Sequence, residues 1–475
     1  MTDWLIVAGA LAGLVIAGAP AADAFVPRLG LVERVALALW VGFAGVTLSL
    51  LLIGFVVDFS RGAAAAAGVL TFAAGVAARR LLGRPPSSPG EPPVAGLVTP
   101  RIDRLIEWAA IAGVAVVVLQ LLLTSAESYI FTYDFFATWG LDTKLFFLRH
   151  AVDFSGLRLS RAYYPAAAPM GHLWFDLWLG KLGDRYLSVP LAAEASALVV
   201  LTRLLLVRLG VGRSLAAALT FFFCAGSGAF LFSAISGYGD LPIAAGLSIG
   251  VGAATVWLRS GDVRWLLLSG VGSGLAVWSK YEGLPSAGLI AVALVVAWYA
   301  RGRRASDLRA LGAWVGVVLL FSVPWYALVW FRHLGAGNHA GGYFHPYWIV
   351  KHVTKALLEP NDWGVWWAGA IALALATAPL WLRGPLWSRW LGLLVGVELV
   401  AVLSAYAVAA HPAASGHVYV GQVSVPVPRL YFHWMASLVL VVGTGLQAAL
   451  ARASPERPAD VRSPAREGRD VESRV

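Results

Sequence analysis

Two short segments set ionisable residues beside a tyrosine, a glycine and a Leu-Pro pair. They are Gly237-Tyr238-Gly239-Asp240-Leu241-Pro242 and Lys280-Tyr281-Glu282-Gly283-Leu284-Pro285. Proline suits the first turn of a helix, and a carboxylate there complements the positive end of the helix dipole. Asp240 and Glu282 therefore have a purely structural reading as helix-starting acids. Lys280 does not, because adjacent opposite charges in so apolar a chain are costly, and an ionisable group at a membrane is a functional candidate by default. The partner expected for Lys280 is a phosphate.

A second constellation runs from Tyr133 to His150. At helical spacing Phe135, Phe136, Trp139, Phe146 and Phe147 share one arc, and Asp134, Thr138, Asp142 and Arg149 an adjacent one. The expectation is an interfacial helix with an aromatic belt, an acidic stripe and Lys144 beside it. Asp134 and Asp142 would stand about 12 Å apart along the axis, too far to share one proton. Tyr163-Tyr164-Pro165-Ala166-Ala167-Ala168-Pro169 then breaks the chain before a helix near 170–182. Arg429 is the single arginine between 390 and 451, and a guanidinium suits bidentate phosphate recognition. Four histidines between 332 and 362 are spaced 6, 6 and 7 apart, which is no metal-ligand pattern. The one cysteine, Cys224, excludes an intrachain disulfide.

The elements that hold these residues follow from composition. The 475 residues are 59% hydrophobic and 13% charged, with mean hydropathy +0.74. Soluble domains run nearer 45–50% apolar and about 25% charged, so a water-soluble enzyme is excluded. The fold class expected is an all-α polytopic membrane protein. Thirteen segments approach the roughly 20 apolar residues a bilayer needs: 4–20, 35–57, 63–78, 105–124, 187–207, 214–235, 241–258, 265–279, 284–300, 310–331, 363–382, 390–410 and 430–451. If alternate connections and the tail face the cytoplasm, that side holds 24 of the 36 Lys and Arg, while all nine His and all five Lys fall outside. The positive-inside rule then puts the N-terminus outside and the C-terminus inside the cytoplasmic membrane. The net charge of +10 becomes a topology signal rather than a nucleic-acid footprint. Residues 79–104 read as a cytoplasmic Pro/Arg linker that separates three N-terminal helices (1–78) from the main transmembrane module (105–451), and 452–475 as a disordered tail.

Over 105–435 the order and sidedness of these motifs resemble bacterial GT-C glycosyltransferases. The group most similar is that of the dolichyl-phosphate-mannose protein mannosyltransferases, the glycosyltransferase 39-like proteins. The resemblance implies sugar transfer at the outer membrane face from a polyprenyl-phosphate donor to a glycan, lipid or protein acceptor. It implies Asp134 as the acid that acts as base or orients the acceptor. Many members carry two adjacent acids at that place, whereas Phe135 follows Asp134 here. A divalent cation, Mg or Mn, is the cofactor to test, with no ligand assigned.

The leaving group of such a reaction is a phosphate anion, which asks for cations at the outer interface, and Lys280 and Arg429 are placed for that. Asp142, Lys144, Tyr164, Tyr238, Asp240, Tyr281 and Glu282 are expected to bind substrate or support the site. The competing classes are a transporter or lipid flippase, which would place ionisable residues near the bilayer midplane, and a non-catalytic scaffold. The glycosyltransferase reading requires Asp134, Lys280 and Arg429 to meet in one outer-face cavity.

Overall fold

Glycine is what lets the two helices carrying the Lys-Tyr-Glu and Gly-Tyr-Gly-Asp motifs approach each other. In the computed structural model α10 (Asp240–Ser260) and α11 (Val263–Ser279) form a hairpin turned by Gly261, whose φ is +76°, and started again by the Asp262 side chain on Arg264 N. A Cβ at Gly246 would lie 2.7 Å from Gly272 O, and one at Gly272 would lie 2.6 Å from Gly250 N. Small residues allow this backbone-to-backbone packing where lipid offers no hydrophobic drive between helices. The hairpin returns Lys280 to the level of Asp240.

The structure describes residues 2–83, 100–130, 132, 135–154, 164–226, 228–334, 364–408 and 426–453; the side chains of 229, 364, 365, 402–408 and 426–431 are outside that description. Within it every regular element is a helix. In chain order these are α1 (Thr2–Phe25), α2 (Leu31–Gly54), α3 (Arg61–Leu82), α4 (Pro100–Glu127), a π-helical turn Phe135–Trp139, α5 (Gly140–Arg149) and α6 (Ala167–Leu179). They continue with α7 (Ser188–Arg208), α8 (Arg213–Ala225), α9 (Gly228–Ser233), α10, α11, α12 (Gly283–Ala300) and α13 (Ala305–Phe331). The last are α14 (Gly364–Ala376), α15 (Ala378–Leu382), α16 (Leu386–Val408) and α17 (Pro426–Ala453).

Among the described residues nine helices are long and apolar enough to cross a membrane. The four other expected spans have identifiable departures. The 214–235 segment divides into α8 and α9 around Gly226 and Gly228, and 363–382 divides at Thr377 ahead of Pro379. The 265–279 segment is a 17-residue helix buried on nearly all sides. The 390–410 segment is helical to Val408, with its last side chains outside the described residues.

Contacts sort the helix ends onto two faces. On one, arginines meet carboxylates and helix C-terminal carbonyls. Arg203 pairs with Glu107 at 2.7 Å and Glu33 at 3.5 Å, Arg264 donates to Leu82 O at 2.7 Å, and Arg259 to Arg208 O at 3.1 Å. Terminal carbonyls have no partner within their own helix, so a guanidinium is well used there. On the opposite face Lys181 and Tyr186 hold Asp3, and Ser188 donates to Ser125 O.

The first three helices pack directly on the rest: Trp174 Nε1 donates to Ala10 O and Trp278 Nε1 to Thr47 Oγ1, each at 3.2 Å. Helix α3 runs to Leu82 and α4 begins at Pro100, so the expected linker is helical at both margins. Its residues 84–99, and the tail from 454, lie outside the described residues.

Candidate functional site

Asp240 opens α10, Lys280 comes directly after α11, and Glu282 precedes α12. Gly283 keeps the second turn tight, since a Cβ there would collide with the Ala276 backbone. Lys280 Nζ lies 2.8 Å from Asp240 Oδ1 and 3.5 Å from Glu282 Oε1. The same Asp240 oxygen accepts from His433 Nε2 of α17, also at 2.8 Å. Asp240 is fully buried, with His433 at 2% and Lys280 at 6% exposure. Charges so withdrawn from water persist only when paired and hydrogen-bonded. Glu282 Oε2 has no hydrogen-bond partner among the described residues.

Aromatic rings flank this cluster. A Cβ at Gly239 would lie 3.2 Å from both Trp139 Cζ2 and Lys280 Cγ, so the π-helical turn abuts the ion pair. Trp139 packs edge-on to Tyr164 at 5.3 Å, Tyr164 to Tyr281 at 5.8 Å, and Tyr281 to Tyr326 of α13 at 5.7 Å. The Tyr326 hydroxyl is buried without a hydrogen bond among the described residues. Tyr238 is buried against Phe232, next to Gly237, whose φ of +72° and closeness to the Phe135 ring both favour glycine.

The first-loop element departs from the expected belt and stripe. The wide turn at Phe135–Trp139 adds a residue to the helical repeat and rotates α5 relative to it. Phe135, Trp139 and Phe146 are buried, Phe136 is exposed, and Asp142 is buried at 4% exposure rather than solvated. Burial pushes the Asp142 carboxyl up to about 8. Lys144 pairs with Asp184 at 2.7 Å and covers the Phe136 ring. In α6, His172 is buried edge-on to Phe135, and among the described residues neither ring nitrogen has a partner. Burial holds the His172 ring down at about 4, so it is neutral.

Of the site residues expected from the sequence, the structure brings Lys280, Asp240, Glu282, Tyr164 and Tyr281 together. Asp142 lies one turn beyond Trp139, and Lys144 is engaged with Asp184. Asp134 lies outside the described residues, and the side chain of Arg429 does too; its backbone is in α17, one turn before His433. The residue that sequence reasoning missed is His433. Its signal was an imidazole four residues after Arg429 in an otherwise apolar helix, a spacing that puts both positions on one face.

Among the described residues no three His, Cys, Asp or Glu side chains converge as a metal site. The two carboxylates that meet, Asp240 and Glu282, already hold Lys280 between them, so these residues do not fit a divalent ion.

Over its described residues the chain is therefore all-helical, with the apolar spans of a multi-pass membrane protein and a buried ionic cluster and aromatic flank at one end of its helices. Comparison with protein-family models, curated proteins and solved structures found no match.

Proposed function

We propose that the protein is a membrane glycosyltransferase of the GT-C type, moving a sugar from a polyprenyl-phosphate donor to an acceptor on the outer face of the cytoplasmic membrane. The observation that carries this reading is the meeting of the two repeated motifs and the first-loop element around Lys280, at one face of the bundle. A buried ammonium, carboxylates, an imidazole and tyrosine faces are the groups that a sugar phosphate engages by hydrogen bonds, charge and stacking.

In the reaction, the acceptor oxygen bonds to the anomeric carbon as the bond from that carbon to the phosphate oxygen breaks, inverting configuration. The acceptor proton passes to a carboxylate, the role proposed for Asp134, and polyprenyl phosphate leaves as the anion. A lysine ammonium has three donors. Its 3.5 Å contact with Glu282 is long, so a phosphate oxygen can take that direction while Asp240 keeps hold of Lys280. Arg429, one turn before His433, is the second cation proposed for the phosphate. A positioned carboxylate base contributes typically 10²–10⁴-fold.

A transporter or flippase would use ionisable residues inside the spans; the acids there are Glu194 of α7 and Glu398 of α16, both buried, and Glu398 accepts from Ser286 in the first turn of α12. The deciding experiment incubates the reconstituted protein with labelled polyprenyl-phosphate sugars and identifies the product. Covalent transfer abolished by Asp134→Asn supports the reading. Movement of labelled lipid across vesicles with no product formed refutes it.

A further inference from the structure

A large cavity lies away from the Lys280 cluster, as a lateral cleft of about 700 Å³ between α1 and α3. Its walls are small, with Gly9 and Gly13 on one side and Gly68 on the other, and Trp174 of α6 forms the floor. Arg61 stands at one end and Phe72 at the other. Eleven residues of helix separate them, about 16 Å of rise, which is half of the roughly 30 Å hydrocarbon core. Beyond Phe72 the seam between α1 and α3 shuts, because the two helices touch: a Cβ at Gly75 would lie 2.8 Å from Ala21 N, and the hollow that continues from Phe72 to Leu81 is walled by α3 alone.

Arg61 is exposed at the face that carries Lys280. Its Nε and Nη2 reach Leu177 O and Leu179 O at 3.4 Å, leaving Nη1 without a hydrogen bond among the described residues. An apolar trough one leaflet deep, headed by a guanidinium at the interface, has the dimensions and charge of one phospholipid.

We infer that this cleft binds an anionic glycerophospholipid, with its phosphate on Arg61 and one acyl chain laid along Gly9, Gly13 and Gly68 over Trp174. A partner's transmembrane helix would have to seat between α1 and α3 along the bilayer, and the contact at Gly75 closes that seam. A polyprenyl chain far outruns one leaflet, whereas the two-walled seam between α1 and α3 ends after half the bilayer and only a one-walled hollow on α3 follows it. The site shares no residue with the proposed transfer centre, and its test is independent of that activity.

Native mass spectrometry of the purified protein, titrated with phosphatidylglycerol and separately with phosphatidylcholine, reads the site directly. The wild type should retain one phosphatidylglycerol about tenfold more tightly than phosphatidylcholine. Gly9→Leu, whose new side chain enters open space, should remove that binding without lowering thermal stability, and Ala65→Leu provides the same block from α3. Arg61→Gln should erase the preference for phosphatidylglycerol while leaving a chain bound. Equal retention by wild type and both blocked variants overturns the inference. So does displacement of the bound lipid by an equimolar polyprenyl phosphate.

Discussion

A single carboxylate oxygen, Asp240 Oδ1, takes hydrogen bonds from Lys280 Nζ and His433 Nε2 at 2.8 Å each, joining α10, α11 and α17 at one point. Charge-assisted bonds of this kind are stronger than neutral ones, and low dielectric sharpens them. The converse is that removing the carboxylate leaves a buried ammonium without the partner closest to it.

Asp240→Ala is therefore expected to destabilise the protein by about 3–5 kcal/mol, the cost of breaking a buried ion pair from one side. The double variant Asp240→Asn with Lys280→Met should recover most of the loss, because the ammonium buried against Asp240 is then gone and Glu282, which loses the longer contact, is itself about a third exposed. Thermal unfolding in detergent reads both. A single variant as stable as wild type would mean that water reaches Lys280.

The α10–α11 approach gives a sharper structural test. Gly272→Val places atoms against the Gly246 and Gly250 backbone, where nothing can yield without moving a helix. Overpacking of this kind costs about 1–3 kcal/mol, and it should also part Asp240 from Lys280 and lower transfer. Gly316→Val, at a position whose Cβ would meet nothing within 4 Å, should leave both stability and transfer unchanged.

Those two helices also show what was legible in the sequence. Pattern and composition located nine of the thirteen expected spans among the described residues, and the Leu-Pro motifs located the helix starts at Asp240 and Gly283 within a residue. Which ends meet depended on glycine spacing across two helices, which no single-helix periodicity reveals. Lys280 was expected to await a phosphate; the fold had supplied Asp240 as its partner, from 40 residues away. His433 was invisible because a lone imidazole in an apolar helix declares itself only through what it touches. Asp142 was expected in the acidic stripe of an interfacial helix; it is buried, one turn after a π-helical turn that residue spacing cannot announce.

That burial makes Asp142 a pH probe. Its folded pKa of about 8 lies above the ordinary aspartate value of 3.8, so the folded state keeps a proton that the unfolded chain releases. Stability from this group is present below about pH 4, falls as pH rises, and is lost by about pH 8. Asp142→Asn, which stays neutral, should lose less melting temperature than wild type between about pH 5 and 8, by a few degrees. Parallel pH curves for the two proteins would show that the Asp142 carboxyl is ionised throughout.

Tyr326 separates a ligand's needs from the fold's. Its hydroxyl is buried beside Tyr281 with no hydrogen bond among the described residues, and such an orphan costs stability where it stands. If packing were the whole of its purpose, phenylalanine would serve as well or better. Tyr326→Phe should therefore match or exceed wild-type stability. Should the hydroxyl bond to a sugar bound against the tyrosine row, the same variant raises KM for the donor or acceptor by about tenfold, the loss of roughly 1.4 kcal/mol of binding. Trp330→Ala, which removes an exposed ring of the same helix, should leave KM unchanged. Steady-state transfer kinetics on both variants decide the matter. An unaltered KM for Tyr326→Phe would place the bound sugar away from Tyr326 and confine it to the Trp139–Tyr164 end of the row.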